Sequence, residues 1–212
     1  MPIFVTRREA LAGFGATLAI AGLPNFLTSR ALASPQTGVP APEFTAMDSQ
    51  GKPHKLSDYR GKTIVLEWTN HECPYTVKHY VTGNMQALQR SATDAGSIWL
   101  TVISSRPGSQ GHVEGIEADK LTDDRQAKPT AVILDPKGDL GRLYGAATTP
   151  HMYVINGNGV LVYMGGIDDQ PSSSQASVKR ARNYVREALD AVAAGRPVAL
   201  ASTRPYGCSV KY

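Results

Sequence analysis

The chain carries two sulfurs able to act as nucleophiles, Cys73 and Cys208. Cys73 follows a short apolar run with β-branched residues, Thr63 to Trp68, and a loop. Pro74 comes directly after it, at the position where proline best begins a helix. A cysteine at a helix start faces unpaired N–H groups and the positive end of the helix dipole. Both favour thiolate over thiol, and the thiolate is the attacking species in disulfide exchange and in peroxide reduction. The competing reading is an inert, buried cysteine. His71, Cys73 and His79 together invite a metal reading. Positions 73 and 79 do not share a helix face, however, and no second cysteine lies nearby, so no metal site is expected.

The elements that must position these residues follow from hydrophobic spacing. Phe44 to Met47 and His54 to Leu56 flank Asp48-Ser49-Gln50-Gly51-Lys52 and read as a hairpin. Thr63 to Trp68 reads as a buried strand. A helix is expected from Tyr75 to Ala95, with Gly83 as a weak point inside it. Strands follow at Ser97 to Ser104 and Thr130 to Leu134, with a weaker helix near Val113 to Gln126 between them and a helical turn at Leu140 to Tyr144 after them. Met152 to Ile155 and Val160 to Met164 flank Asn156-Gly157-Asn158-Gly159, a strong hairpin signal. Ser177 to Ala194 reads as an amphipathic helix stopped by Gly195 and Pro197, and the tail 196–212 reads as irregular.

With 212 residues, 42% of them hydrophobic, the chain can bury one core of ordinary size. The mean hydropathy of −0.23 is that of a globular protein. The net charge is +4, and residues 1–33 supply half of it through Arg7, Arg8 and Arg30 against Glu9. The remainder is too weakly basic to argue for nucleic acid or an anionic membrane surface. Thr6-Arg7-Arg8-Glu9-Ala10-Leu11, a mild apolar stretch and Ala31-Leu32-Ala33 have the layout of a cleaved twin-arginine leader. The expected organisation is therefore a signal peptide at 1–33 and one domain at 34–212, exported to the periplasm or beyond, with no stable membrane insertion after cleavage. In that setting an even pair of cysteines suggests a disulfide. Either Cys208 resolves an oxidised Cys73, or a permanent staple adds about 4–5 kcal/mol by loop entropy. The resolving role is preferred, because a bond made to a helix-start thiolate is labile.

The order hairpin, strand, helix, strand, helix, strand, hairpin, helix, with Cys73 at the first strand-to-helix junction and Thr149-Pro150 before a strand, resembles the thioredoxin superfamily. Thr130 to Leu134 and the phrase Leu134-Asp135-Pro136-Lys137-Gly138 through Tyr144-Gly145 are similar to its redoxin branch, the alkyl hydroperoxide reductase/thiol-specific antioxidant type. The ending Gly207-Cys208-Ser209-Val210-Lys211-Tyr212 resembles a tail of exported redoxins. The resemblance spans about Phe44 to Ala194. It implies an α/β, three-layer fold with a central mixed sheet, an N-terminal hairpin extension and a C-terminal cysteine-bearing tail.

It also implies roles. Glu67, six residues before Cys73, stands where thioredoxins keep a buried acid that relays protons; the alternative is a carboxylate turned to solvent or to a lysine. Thr149 and Pro150 match the cis-proline loop, whose backbone can pair with an extended substrate, and His151 could hold the thiolate by charge. Pro74 and Thr76 complete the substrate-facing set. Two departures matter. Thr76 replaces the second cysteine of Cys-x-x-Cys, and Leu66 and Asn70 replace the proline and threonine of the peroxidase motif Pro-x-x-x-Thr-x-x-Cys. The expected activity is thus thiol–disulfide oxidoreduction on a protein or small-molecule disulfide, with an external thiol reductant. A thiol peroxidase and a non-catalytic binding module with a structural disulfide are the alternatives. No phosphate loop or nucleotide fingerprint occurs, so no cofactor is expected.

Overall fold

The computed structural model describes Met1 and residues 34–212. The expected leader lies outside the described residues. In chain order the elements are β1 (Thr45–Met47), β2 (Pro53–Lys55), β3 (Ile64–Trp68), α1 (Pro74–Val81), α2 (Asn84–Asp94), β4 (Ile98–Ile103), α3 (Gly115–Asp124), β5 (Ala131–Leu134), α4 (Asp139–Tyr144), β6 (Thr148–Thr149), β7 (His151–Ile155), β8 (Leu161–Gly165), α5 (Tyr184–Ala193) and β9 (Cys208–Ser209). Short 3-10 turns occupy Leu56–Tyr59 and Gln175–Arg180.

Five strands form the central sheet in the order β5-β4-β3-β7-β8. β3, β4 and β5 run parallel, whereas β7 lies antiparallel to β3 and β8 antiparallel to β7, so the sheet is mixed. β3 is the central strand and every one of its residues is buried. Side chains alternate across the pleat. Leu66 and Trp68 join Leu100, Val102, Tyr153 and Tyr144 in a core against α4 and the N-terminal hairpin. Val65 joins Trp99, Val154, Met85, Leu88 and Val185 in a core against α1, α2 and α5. The result is the three-layer α/β fold that the element order predicts.

Two helices differ from expectation. Tyr75 to Ala95 is not one helix but two, because Gly83 takes a left-handed conformation (φ 73°) between them. Ser177 to Ala194 is likewise divided. A 3-10 turn ends at Arg180, and α5 starts afresh where the Asn183 side chain accepts from the Arg186 N–H. The tail also departs from the irregular reading, since Cys208 and Ser209 pair antiparallel with Thr149 and Thr148. Among the described residues no helix is long and apolar enough to cross a membrane.

Nothing crowds the space beside Gly83, so a substitution there meets only backbone strain. Gly83→Ala is expected to lower the stability to urea by about 1 kcal/mol, with no change in the slope of the unfolding curve.

Candidate active site

Cys73 caps α1, with Pro74 in its first turn, and is fully buried. Its Sγ donates to the Thr149 carbonyl at 3.1 Å and accepts from the Cys208 N–H at 3.4 Å. Cys208 stands on the neighbouring strand, opposite Thr149 in the β6–β9 register. Both thiols are reduced in this structure, and it is the backbone N–H of Cys208 that meets the Cys73 sulfur. Peptide Thr149–Pro150 is cis. Thus residues 73, 149, 150 and 208 meet at one point, although the chain separates them widely.

The two thiols have unequal acidities. Burial pushes the Cys73 thiol up, but hydrogen bonds to the Cys208 and Thr149 side chains and from the Cys208 and Thr76 amides outweigh it, so its pKa falls below the ordinary cysteine value. The Thr149 carbonyl acts the other way, because it accepts from the thiol and would repel the thiolate. Cys208 is pushed up to about 11 by burial, then by its hydrogen bond to Cys73 and by the charge of the Cys73 thiolate, with Lys211 opposing. The two titrate as one pair: the first proton leaves Cys73 and the second stays on Cys208.

The remaining expected residues sit elsewhere in the network. Pro74 starts α1. Thr76 is fully buried and its hydroxyl lacks a partner. His151 does not hold the thiolate by charge. Its Nδ1 is turned to the Ala147 N–H at 3.3 Å and the Tyr153 hydroxyl at 3.2 Å, and burial pushes its pKa down to about 4, which leaves the ring neutral at pH 7.

Glu67 is buried as expected of an interior acid, and points neither to solvent nor to a lysine. Its carboxylate accepts from Tyr80 Oη at 2.7 Å, Trp99 Nε1 at 2.8 Å, Gln89 Nε2 at 3.1 Å and Thr101 Oγ1 at 3.1 Å. Neither sulfur is among these partners. Tyr80 lies near the C-terminal end of α1 and Cys73 caps the other end, about 10 Å away along the axis. These bonds tie β3, β4, α1 and α2 together through one buried carboxylate. Burial raises the Glu67 pKa, and its four donors only partly offset this.

Sequence reasoning missed a second cluster behind the pair. Lys78 is buried, with Nζ donating to the Gln170 carbonyl at 2.8 Å and lying 3.9 Å from Asp168. Asp168 also accepts from the Tyr206 hydroxyl. His79 Nε2 lies 3.3 Å from Tyr206 Oη, and its Nδ1 meets Asn84 Nδ2 at 2.9 Å. Burial, then the Lys78 charge, push His79 down to about 3. His79 is therefore engaged with Tyr206 and Asn84, while His71 Nδ1 has no partner. Among the described residues no three His, Cys, Asp or Glu side chains converge as metal ligands. The available signal for the cluster was polar Lys78 and His79 on a helix whose other expected core positions include Tyr80.

Comparison with known proteins places these observations. The AhpC/TSA family model matches residues 37–164. The chain is 25% identical over 156 residues to the thiol-disulfide oxidoreductase ResA of Geobacillus thermodenitrificans, covering 70% of this chain and 76% of that one. It is 31% identical over 99 residues to ResA of Geobacillus kaustophilus, covering 43% and 53% respectively. Among solved structures, an uncharacterized conserved protein of Geobacillus kaustophilus is similar with a TM-score of 0.69 and 23% identity, covering 84% of this chain and 92% of that one. That likeness concerns the fold alone.

The raised Glu67 pKa has a signed consequence. Between the ordinary carboxylate value and the raised one, the folded state binds a proton that the unfolded state has lost, so stability falls as pH rises through that window. Unfolding free energies measured from pH 4 upward should show that decline in the wild type, and Glu67→Gln should abolish it. Independently, iodoacetamide trapping of the reduced protein in mild denaturant and in buffer should show Cys73 ionising below Cys208 only in the folded state; coincident titration in buffer would contradict the hydrogen-bond assignment.

Proposed function

The chain belongs to the AhpC/TSA family, and from that premise we propose an exported thiol–disulfide oxidoreductase in which Cys73 is the nucleophile and Cys208 the resolving thiol. The observation that carries this reading is the docking of the Cys208 strand at the α1 N-terminus, where the Cys208 N–H lies 3.4 Å from Cys73 Sγ and the two thiols have unequal acidities. ResA relatives carry the name thiol-disulfide oxidoreductase, which supports the same reaction class. Export rests on the twin-arginine-type leader at 1–33, with cleavage near Ala33.

The proposed cycle balances as follows. The Cys73 thiolate attacks one sulfur of a substrate disulfide, and the second substrate sulfur leaves as a thiolate that takes a proton from water. Cys208 then gives up its proton and attacks the Cys73 sulfur of the mixed disulfide. A Cys73–Cys208 bond forms and the remaining substrate thiolate is released. The substrate gains two electrons and the cysteine pair loses two, so an external dithiol must restore the pair. Thr149 and Pro150 offer the backbone edge for the substrate, and Pro74 and Thr76 shape the helix end below it. Peroxide reduction is the weaker reading: the Asn70 side chain is engaged with the Glu72 N–H at 2.9 Å and the Gln110 carbonyl at 3.3 Å, in place of a threonine hydroxyl facing the cysteine.

Insulin reduction driven by a small dithiol tests the cycle. Wild type should turn over. Cys73→Ser should be inactive, and Cys208→Ser should accumulate a covalent mixed disulfide detectable by mass. A reduction potential well below about −300 mV, with no turnover, would make the bond a structural staple. Peroxide consumption exceeding disulfide reduction would move the protein to the peroxidase class.

A further inference from the structure

The backbone edge offered to a substrate at Thr149 is already taken. The chain's own tail lies on it as β9, with Thr148 opposite Ser209 and Thr149 opposite Cys208. The next residue continues the contact, since the Val210 N–H donates to the Ala147 carbonyl at 3.1 Å. The docked tail holds a cysteine against Cys73, as an extended peptide disulfide would have to do, and Cys73 has no exposed surface beneath it.

One residue makes this possible. Gly207 has φ 138°, a conformation that side chains rarely adopt, and a Cβ added there would run into the Thr149 carbonyl. Only glycine lets the tail come down onto the edge. On either side the tail is fastened. The Tyr206 hydroxyl donates to buried Asp168. Tyr212 Oη donates to the Ala146 carbonyl at 2.6 Å, and its ring lies over Gly138 and Gly141, where added side chains would collide with it.

We propose that Gly207 is a specificity-determining residue: it seats the tail as a resident substrate strand, so that extended polypeptide disulfides compete with residues 207–210 for the Thr148–Thr149 edge. This rests on the reading of Cys73 as nucleophile. A polypeptide disulfide needs both the sulfur and the edge, and a small disulfide needs only the sulfur. Displacing the tail uncovers the sulfur for both but also withdraws the Cys208 N–H from it, so the extended substrate, which gains the edge as well, gains more.

The test uses the full chain in a Cys208→Ser background, so that resolution plays no part. Two probes are compared: cystamine, and the hexapeptide Tyr-Gly-Cys-Ser-Val-Lys carrying its cysteine as a mixed disulfide with thionitrobenzoate. Cystamine supplies a sulfur without a strand, whereas the hexapeptide reproduces residues 206–211. Formation of the adduct on Cys73 is followed by mass. Gly207→Ala is expected to raise the hexapeptide rate at least tenfold and the cystamine rate several-fold less. Val210→Pro removes an N–H from the same pairing without placing a side chain against Thr149, and should act in the same direction; circular dichroism checks that both variants remain folded. Equal acceleration of both probes, or no acceleration in either folded variant, overturns the competition. A Cys73 that reacts with neither probe in any variant, including under mild denaturation, overturns the nucleophile reading instead.

Discussion

A two-residue antiparallel pairing, Thr148–Thr149 with Cys208–Ser209, is the constraint on which the site depends. Without it the chain has a lone cysteine at a helix start and another near its end. With it, a residue far along the chain is brought against Cys73, where Cys-x-x-Cys would supply a second thiol three positions on. Two strand residues supply little hydrogen-bond energy, since each bond nets only about 1 kcal/mol. The pairing persists because the flanking segments are held independently, by Tyr206 on one side and by Val210, Lys211 and Tyr212 on the other. Arg106 fastens the last of these, with its N–H on the Lys211 carbonyl at 2.9 Å and its guanidinium on the Tyr212 carbonyl at 2.7 Å.

The anchor on the Tyr206 side is costly by itself. Lys78 and Asp168 are both buried, and two ions removed from water regain their hydration energy only where hydrogen bonds complete the pair. Here the Gln170 N–H and the Tyr206 hydroxyl serve Asp168, while the Gln170 carbonyl serves Lys78, whose Nζ also lies 4.9 Å from the centre of the Tyr206 ring. Tyr206 thus touches both charges, and it lies two residues from Cys208. The cluster also reaches α1 directly, because Lys78 and His79 belong to the helix that Cys73 caps. The helix that Cys73 caps and the tail that carries Cys208 are consequently fixed to one another through a shared set of buried polar groups.

How much of this was legible in the sequence differs by the range of the interaction. Strand β3 was readable because Ile64 to Leu66 are apolar and β-branched residues begin it, and the β7–β8 hairpin because Asn156-Gly157-Asn158-Gly159 admits few other conformations. The single helix expected across Gly83 failed because hydrophobic spacing continues through the break: Tyr80, Met85, Leu88 and Ala92 all face the same core, although they belong to two helices. Cys73 declared itself by local chemistry. The docking of the tail could not be read, since Gly207 signals only a turn until the carbonyl it must clear is known. The charge of His151 was not legible for a related reason: it depends on burial against β3, a partner distant in sequence.

Glu67 makes the sharper case. Its spacing from Cys73 matches a buried acid with a redox role, and its burial matches as well. Its partners come from the far end of α1, from α2 and from β4: three donors converge on Oε2, and Tyr80 alone donates to Oε1. The one aromatic hydroxyl in the set, Tyr80, has its own pKa pushed up by burial and then by the Glu67 charge. The carboxylate thereby ties α1 and α2 to the sheet. At the sulfurs, burial and then the neighbouring Cys73 side chain push the Cys208 thiol up to about 11, so Cys208 holds its proton beside Cys73.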